Sequence, residues 1–121
     1  VRSLGAAVDR LLALTAPGSP LGARAQQSPL PLILGGKSAD VRRLAAQRQL
    51  SWNLSTASAD EFERLKGGQP DPQAQVFLRE VRSVPETVER FRRAGATRLV
   101  FVLVPPIEPG AVTNLARAAG L

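Results

Sequence analysis

Four times between residues 31 and 121 the chain places a short apolar run ahead of a capped amphipathic stretch, and this alternation limits what it can fold into. The runs are Leu32-Ile33-Leu34, Leu50-Ser51-Trp52-Asn53-Leu54-Ser55, a segment near Gln75–Val81, and Leu99-Val100-Phe101-Val102-Leu103-Val104. The first has no polar alternation and is closed by Gly35-Gly36, as suits a strand covered on both faces. The fourth is dense in β-branched and aromatic residues, and Pro105-Pro106 ends it.

A helix signal follows each run. Ser38 can cap a helix with apolar positions Val41, Leu44 and Ala45. Ser58-Ala59-Asp60-Glu61 fits a capping box, Phe62 and Leu65 supply the buried face, and Gly67-Gly68 stops the helix. Ser83-Val84-Pro85-Glu86 is a second box with Pro in the first turn, followed by Val84, Val88 and Phe91 at helical spacing and by Gly95 as terminator. From about Gly110, Val112, Leu115, Ala116 and Ala119 mark a last helix. Ahead of these units, Leu4, Val8, Leu11 and Leu12 give helical spacing that Pro17-Gly18 ends.

The expected organisation is one partial domain over 1–121: a helix over 1–16, a Pro/Gly/Ser/Gln connector over 17–30, and four βα units over 31–121. Short loops between alternating strands and helices imply an α/β fold with parallel strands and right-handed crossovers. Four such strands make either an open doubly wound sheet or half of an eight-stranded barrel. In both, functional residues gather beyond the C-terminal ends of the strands.

Composition narrows the function classes. The chain is 44% hydrophobic with a mean hydropathy of −0.04, which suits a folded core and not a disordered tail. No apolar run approaches the roughly 20 residues that span a bilayer, so no membrane partner is expected. Residues 1–16 lack the apolar block of a signal peptide, which makes the cytoplasm the expected compartment. The absence of Cys and His excludes disulfides, zinc-thiolate sites and a Ser-His-Asp triad within the chain. The chain starts Val1-Arg2 and contains no Met, so it is expected to be a processed product or a piece of something longer.

Sixteen basic residues against ten acidic ones give +6 and a pI near 11.4, which raises nucleic acid as a partner. All but Lys37 and Lys66 are Arg, spread from Arg2 to Arg117. Glu86 and Glu89 lie within one turn of Arg90-Arg92-Arg93, and no aromatics interleave as a stacking platform requires. The pattern reads as a solvated surface, and nucleic acid is not the expected partner.

A strand, two glycines and a capped helix together form a physical recipe for holding a phosphate. The glycines let backbone amides approach an anion, and the helix N-terminus adds unpaired N–H groups and a favourable dipole. Gly35, Gly36, Lys37 and Ser38 are therefore candidate binding residues, Lys37 as a point charge and Ser38 as a hydroxyl. The alternative is a plain strand-to-helix turn with a Ser cap. Gly36-Lys37-Ser38 also matches the end of a Walker A loop, but Pro31 stands where that motif needs Gly. Ser55 and Thr56 follow the second strand and can donate to the same anion, with capping as their alternative. Trp52 reads as core or interface, Arg82 as a rim cation, and Glu108 as a lone carboxylate. No paired carboxylates, metal cluster or nucleophile–base arrangement emerges, so no catalytic residue is assigned.

Together these segments resemble a known family. Pro31-Leu32-Ile33-Leu34-Gly35-Gly36, then Val41-Arg42-Arg43-Leu44-Ala45-Ala46, then Ser51-Trp52-Asn53 resemble the C-terminal region of bacterial-luciferase-like monooxygenases, in which P-P-I-L-V-G-G, L-A-A and G-W-N recur. Ser83-Val84-Pro85-Glu86-Thr87-Val88 is similar to that family's G-T-P-E-E-V segment, and Ala94-Gly95-Ala96-Thr97-Arg98-Leu99-Val100 to its A-G-V-D-x-V-V. The likeness covers roughly residues 29–120. It implies the later strands of a (β/α)8 TIM barrel and an oxidoreductase that uses FMN or a deazaflavin coenzyme on a small organic substrate. It also implies that Gly35 and Gly36 meet the cofactor phosphate, with Ser55 and Thr56 nearby. Lys37-Ser38 stands where members carry a further Gly or Gly-Pro, and Ser51 replaces the Gly before Trp-Asn. The family's isoalloxazine pocket and proton-handling residues come largely from the first half of the barrel, which this sequence does not contain. A half barrel leaves two strand edges and an inner face uncovered, so the chain is expected to need the missing half, another copy of itself or a partner.

Overall fold

A computed structural model describes residues 2–19, 21–22, 26–27, 30–56, 58–78 and 80–121. Its elements run α1 (Arg2–Leu14), β1 (Ile33–Gly35), α2 (Ala39–Gln47), β2 (Ser51–Ser55), α3 (Ala59–Lys66), β3 (Pro72–Leu78), α4 (Val84–Arg93), β4 (Arg98–Leu103) and α5 (Ala111–Ala118). A first helix and four βα units follow in the expected order, and residues 20, 23–25 and 28–29 of the expected 17–30 connector lie outside the described residues.

Local chemistry sets most boundaries. The Ser38 hydroxyl accepts from the Val41 amide at 3.2 Å and the Ser58 hydroxyl from the Glu61 amide at 3.2 Å, which caps α2 and α3. Gly95, with φ +83°, closes α4: its amide donates to Arg92 O and that of Ala96 to Phe91 O, both at 3.0 Å. The same pattern ends α2, but there Gln49 occupies the left-handed position with φ 53°.

Two expectations are corrected. Ser83 does not cap α4, because a 3₁₀ turn over Val81–Ser83 runs straight into that helix and Ser83 already has helical backbone angles. Its hydroxyl donates instead to Glu80 O at 2.8 Å. The third strand begins at Pro72 and ends at Leu78, displaced toward the N-terminus from the expected Gln75–Val81. Proline is tolerated there because a strand's first residue can do without the missing N–H.

All four strands are parallel and lie in chain order, β1-β2-β3-β4. A doubly wound sheet reverses its order at a switch point. This sheet does not, and its fold is the α/β arrangement of consecutive βα units found in half of a (β/α)8 barrel. Register separates the two faces. Leu34, Trp52, Leu54, Ala74, Val76, Leu99 and Phe101 share one face and pack with Ala45, Phe62, Val84, Phe91 and Leu115 from α2, α3, α4 and α5. All four following helices therefore cover the same side. Trp52 stacks on Phe62 with ring centroids 6.0 Å apart, and Phe62 meets Phe91 edge-on at 5.8 Å. Each of these fully buried aromatics contributes about 1.5–3 kcal/mol through area alone.

The other face carries Ile33, Gly35, Asn53, Ser55, Gln73, Gln75, Phe77, Arg98, Val100 and Val102, and it contributes to neither apolar cluster. Phe77 remains 51% exposed and Ile33 49%. At the N-terminal ends of the strands, Asp71 accepts hydrogen bonds from the hydroxyls of Ser51 and Thr97 and, at 2.8 Å, from Gln73 Nε2. One carboxylate thus ties β2, β3 and β4 together at the end opposite the candidate site. Several arginines behave as surface: Glu89 pairs with Arg92 and Arg93 at 2.8 and 2.7 Å, and Arg48 with Asp9 at 2.7 Å, whereas Arg42 is half-buried and donates to Leu65 O at 2.9 Å.

Candidate functional site

The turn after β1 is built around Gly36. Its φ of +140° is rarely adopted by an L-residue, and its two backbone groups are held from either side. The amide donates to Asn53 O at 3.2 Å, and the carbonyl accepts from Trp52 Nε1 at 2.8 Å. Trp52 is fully buried, so this bond fastens the turn to the core. A Cβ at Gly36 would meet Val41 no closer than 3.6 Å, so conformation and not space demands glycine here.

From this anchor the chain enters α2, whose first amides, those of Ala39 and Asp40, have no acceptor within the helix. Gly35 lies on the open face opposite Asn53. Ser38 is committed as an acceptor to the Val41 amide but keeps its own hydroxyl proton.

Lys37 and Thr56 come together through a residue that the sequence reading assigned only to capping. Glu61 accepts from Lys37 Nζ at 2.9 Å through Oε1 and from Thr56 Oγ1 at 2.8 Å through Oε2. Thr56 in turn accepts from the Ser58 amide at 3.0 Å. The Lys37 and Thr56 bonds hold the Glu61 carboxyl below its ordinary pKa, so it is ionised at neutral pH. The expected capping box therefore forms only halfway: Ser58 caps α3, while the Glu61 side chain turns toward Lys37. Only placement in three dimensions reveals this contact, because 24 residues separate the partners.

Ser55 ends β2 on the open face and stands apart from this network. Arg82 is paired with Glu80 at 2.6 Å. Glu80 and Glu108 border a cavity of about 190 Å³ beyond the C-terminal ends of β3 and β4, with Leu78, Leu103 and Ile107 as its apolar walls. Among the described residues no group of acidic, His or Cys side chains is arranged to hold a metal ion. Nor is any described helix long and apolar enough to cross a membrane.

The turn carries donors of the kind that a phosphate takes: the Ala39 and Asp40 amides, without acceptors inside α2, and the Ser38 hydroxyl. The Lys37 charge is balanced by Glu61, and Asp40 adds a second carboxylate nearby, partly offset by Arg43 at 3.3 Å. An apolar cavity of about 420 Å³ lies between α4, β4 and α5, and no residue of this turn lines it. Set against protein-family models, curated proteins and solved structures, the chain has no significant match.

Proposed function

We propose that the chain is the C-terminal half of a luciferase-like oxidoreductase of the flavin- or deazaflavin-dependent monooxygenase type, and that it supplies the limb holding the cofactor phosphate. The supporting observation is the glycine turn at the C-terminal end of β1, which brings unpaired amides of α2 to the end of the sheet where such folds hold ligands. In this reading the Ala39 and Asp40 amides and the Ser38 hydroxyl hold phosphate oxygens. Lys37 exchanges Glu61 for the phosphate. The open sheet face forms half of the inner wall, and another four βα units complete it. When bound, the cofactor supplies hydride transfer or oxygen insertion on a small organic substrate. This chain orients it and excludes water on one side.

A titration of FMN and of the deazaflavin coenzyme, followed by fluorescence anisotropy, tests the reading beside a Gly36→Asp variant. Saturable binding by the wild type that a folded variant loses supports it. Absence of binding to a folded wild-type chain, or equal binding by the variant, removes the phosphate role from the turn. A second reading, a non-catalytic α/β module that pairs through its strand edges, is favoured by one observation: Lys37 already has a carboxylate partner. Association without cofactor affinity selects it.

A further inference from the structure

The two edges of the sheet carry different apolar features. At the β1 edge lies α1, which runs alongside α2 in the same direction: a Cβ on Gly5 would touch Leu44 at 3.9 Å, and Asp9 pairs with Arg48. Val8 and Leu12 pack on Leu44, Leu50 and Leu34. At 100° per residue, Leu4, Leu11 and Leu14 continue that apolar arc around the helix. They remain 36%, 46% and 41% exposed, so only part of the arc is covered.

At the β4 edge lies an apolar cavity of about 420 Å³ between α4, β4 and α5, lined by Val88, Leu99, Phe101, Val112 and Leu115 among others. Val112 is 69% exposed. Both β1 and β4 have one unpaired edge, since each terminates the sheet. One edge of the molecule thus offers an edge strand flanked by a half-covered helix, and the other an edge strand flanked by an apolar cavity.

We infer that two copies of this chain close head to tail into an eight-stranded ring, with the β1 edge and α1 leucines of each set against the β4 edge and α5 cavity of the other. Four strands are half of the eight that close a barrel of this kind, so two copies suffice and no edge is left over. The unused surface is of the right size. Ile33, Phe77, Val100, Leu4, Leu11, Leu14 and Val112 are each between 36% and 69% exposed. Taking about 150–200 Å² as the full surface of such side chains, they hold on the order of 500 Å² per copy. Strand edges and the polar inner row add to this, against the roughly 800 Å² per partner of a standard interface. A second copy fits better than an unrelated partner because each surface finds its complement elsewhere on the same chain. The inference needs the fold alone and does not rest on the cofactor reading.

Sedimentation equilibrium and chemical crosslinking test it together. The native chain contains no Cys, so Leu4→Cys and Val112→Cys introduce the only thiols. The wild type is expected to sediment at twice the 12.9 kDa of one chain. The double variant, treated with a short bifunctional thiol reagent, is expected to give a covalent dimer at least tenfold faster than either single variant. A folded monomer by circular dichroism overturns the proposal, as does an open series of higher oligomers. A dimer in which a single variant crosslinks as fast as the double one also overturns it, because the contact then joins like surfaces. Cofactor titration of the same samples reads the oxidoreductase proposal separately, so either can fail alone.

Discussion

The indole Nε1 of Trp52 donates to the carbonyl oxygen of Gly36 at 2.8 Å, and this bond joins the centre of the apolar core to the turn that carries the candidate site. Trp52 is fully buried and stacked on Phe62, so the geometry of the turn depends on core packing as much as on its glycine.

Trp52→Phe keeps an aromatic ring in the core but deletes the donor to Gly36 and leaves a small void. A loss of about 2–3 kcal/mol in unfolding free energy is expected, from cavity and hydrogen bond together. Urea denaturation followed by circular dichroism measures it. Any affinity for phosphate ligands should weaken in the same variant under conditions where it remains folded.

Glu61→Gln tests the carboxylate that competes at the site. Glutamine still accepts from Thr56 but no longer neutralises Lys37. Affinity for inorganic phosphate or FMN is expected to rise by a factor of roughly two to five, as for the removal of one exposed opposing charge. Calorimetric titration of both proteins at low and moderate salt checks this, and the gain should shrink as salt rises.

Asp71 gives the fold a defined acid sensitivity. Hydrogen bonds from Ser51, Thr97 and Gln73 hold its carboxyl below the ordinary 3.8. The unfolded chain therefore binds the proton more tightly, and the stabilisation is fully present above the unfolded pKa. It is lost as pH falls through the depressed folded value. Asp71→Asn should cost about 1–3 kcal/mol at neutral pH. It should also flatten the decline of stability between about pH 5 and pH 2. Glu89, held down to about 2 by Arg92 and Arg93, keeps part of that decline in the variant. Denaturant midpoints across that range, for wild type and variant, provide the comparison.

Gln49 sits in the left-handed region at the end of α2, where its Cβ crowds the backbone. Gln49→Gly should raise stability by about 0.5–1 kcal/mol, the relief of strain exceeding the added freedom of the unfolded chain. A thermal melt showing a rise of a few degrees would bear this out.

The parts of the fold visible in the sequence are those that neighbouring residues decide. Leu32-Ile33-Leu34 before two glycines and the run Leu99–Leu103 carry their strand signal locally, as Ser38 and Ser58 carry their caps. Ser83 misled because a Ser-x-x-Glu pattern cannot distinguish a true cap from the last residue of a 3₁₀ turn already in helical conformation. The start of β3 was hidden by Pro72, which reads as loop until the pairing of Pro72 with Trp52 is known. Within the candidate site, the glycine turn and the Ser38 cap were legible. The turning of Glu61 toward Lys37 and the Asp71 network were not, because both join residues distant in the chain through side chains that obey no spacing rule.

The most direct test of the cofactor-limb account is a two-dimensional ¹H–¹⁵N NMR titration of the folded chain with FMN. The account predicts saturable shifts of the Gly36, Lys37, Ala39 and Asp40 amides, with Thr56 and Glu61 responding as Lys37 changes partner. Shifts confined to the cavity beside α5, or none on a well-dispersed spectrum, would contradict it.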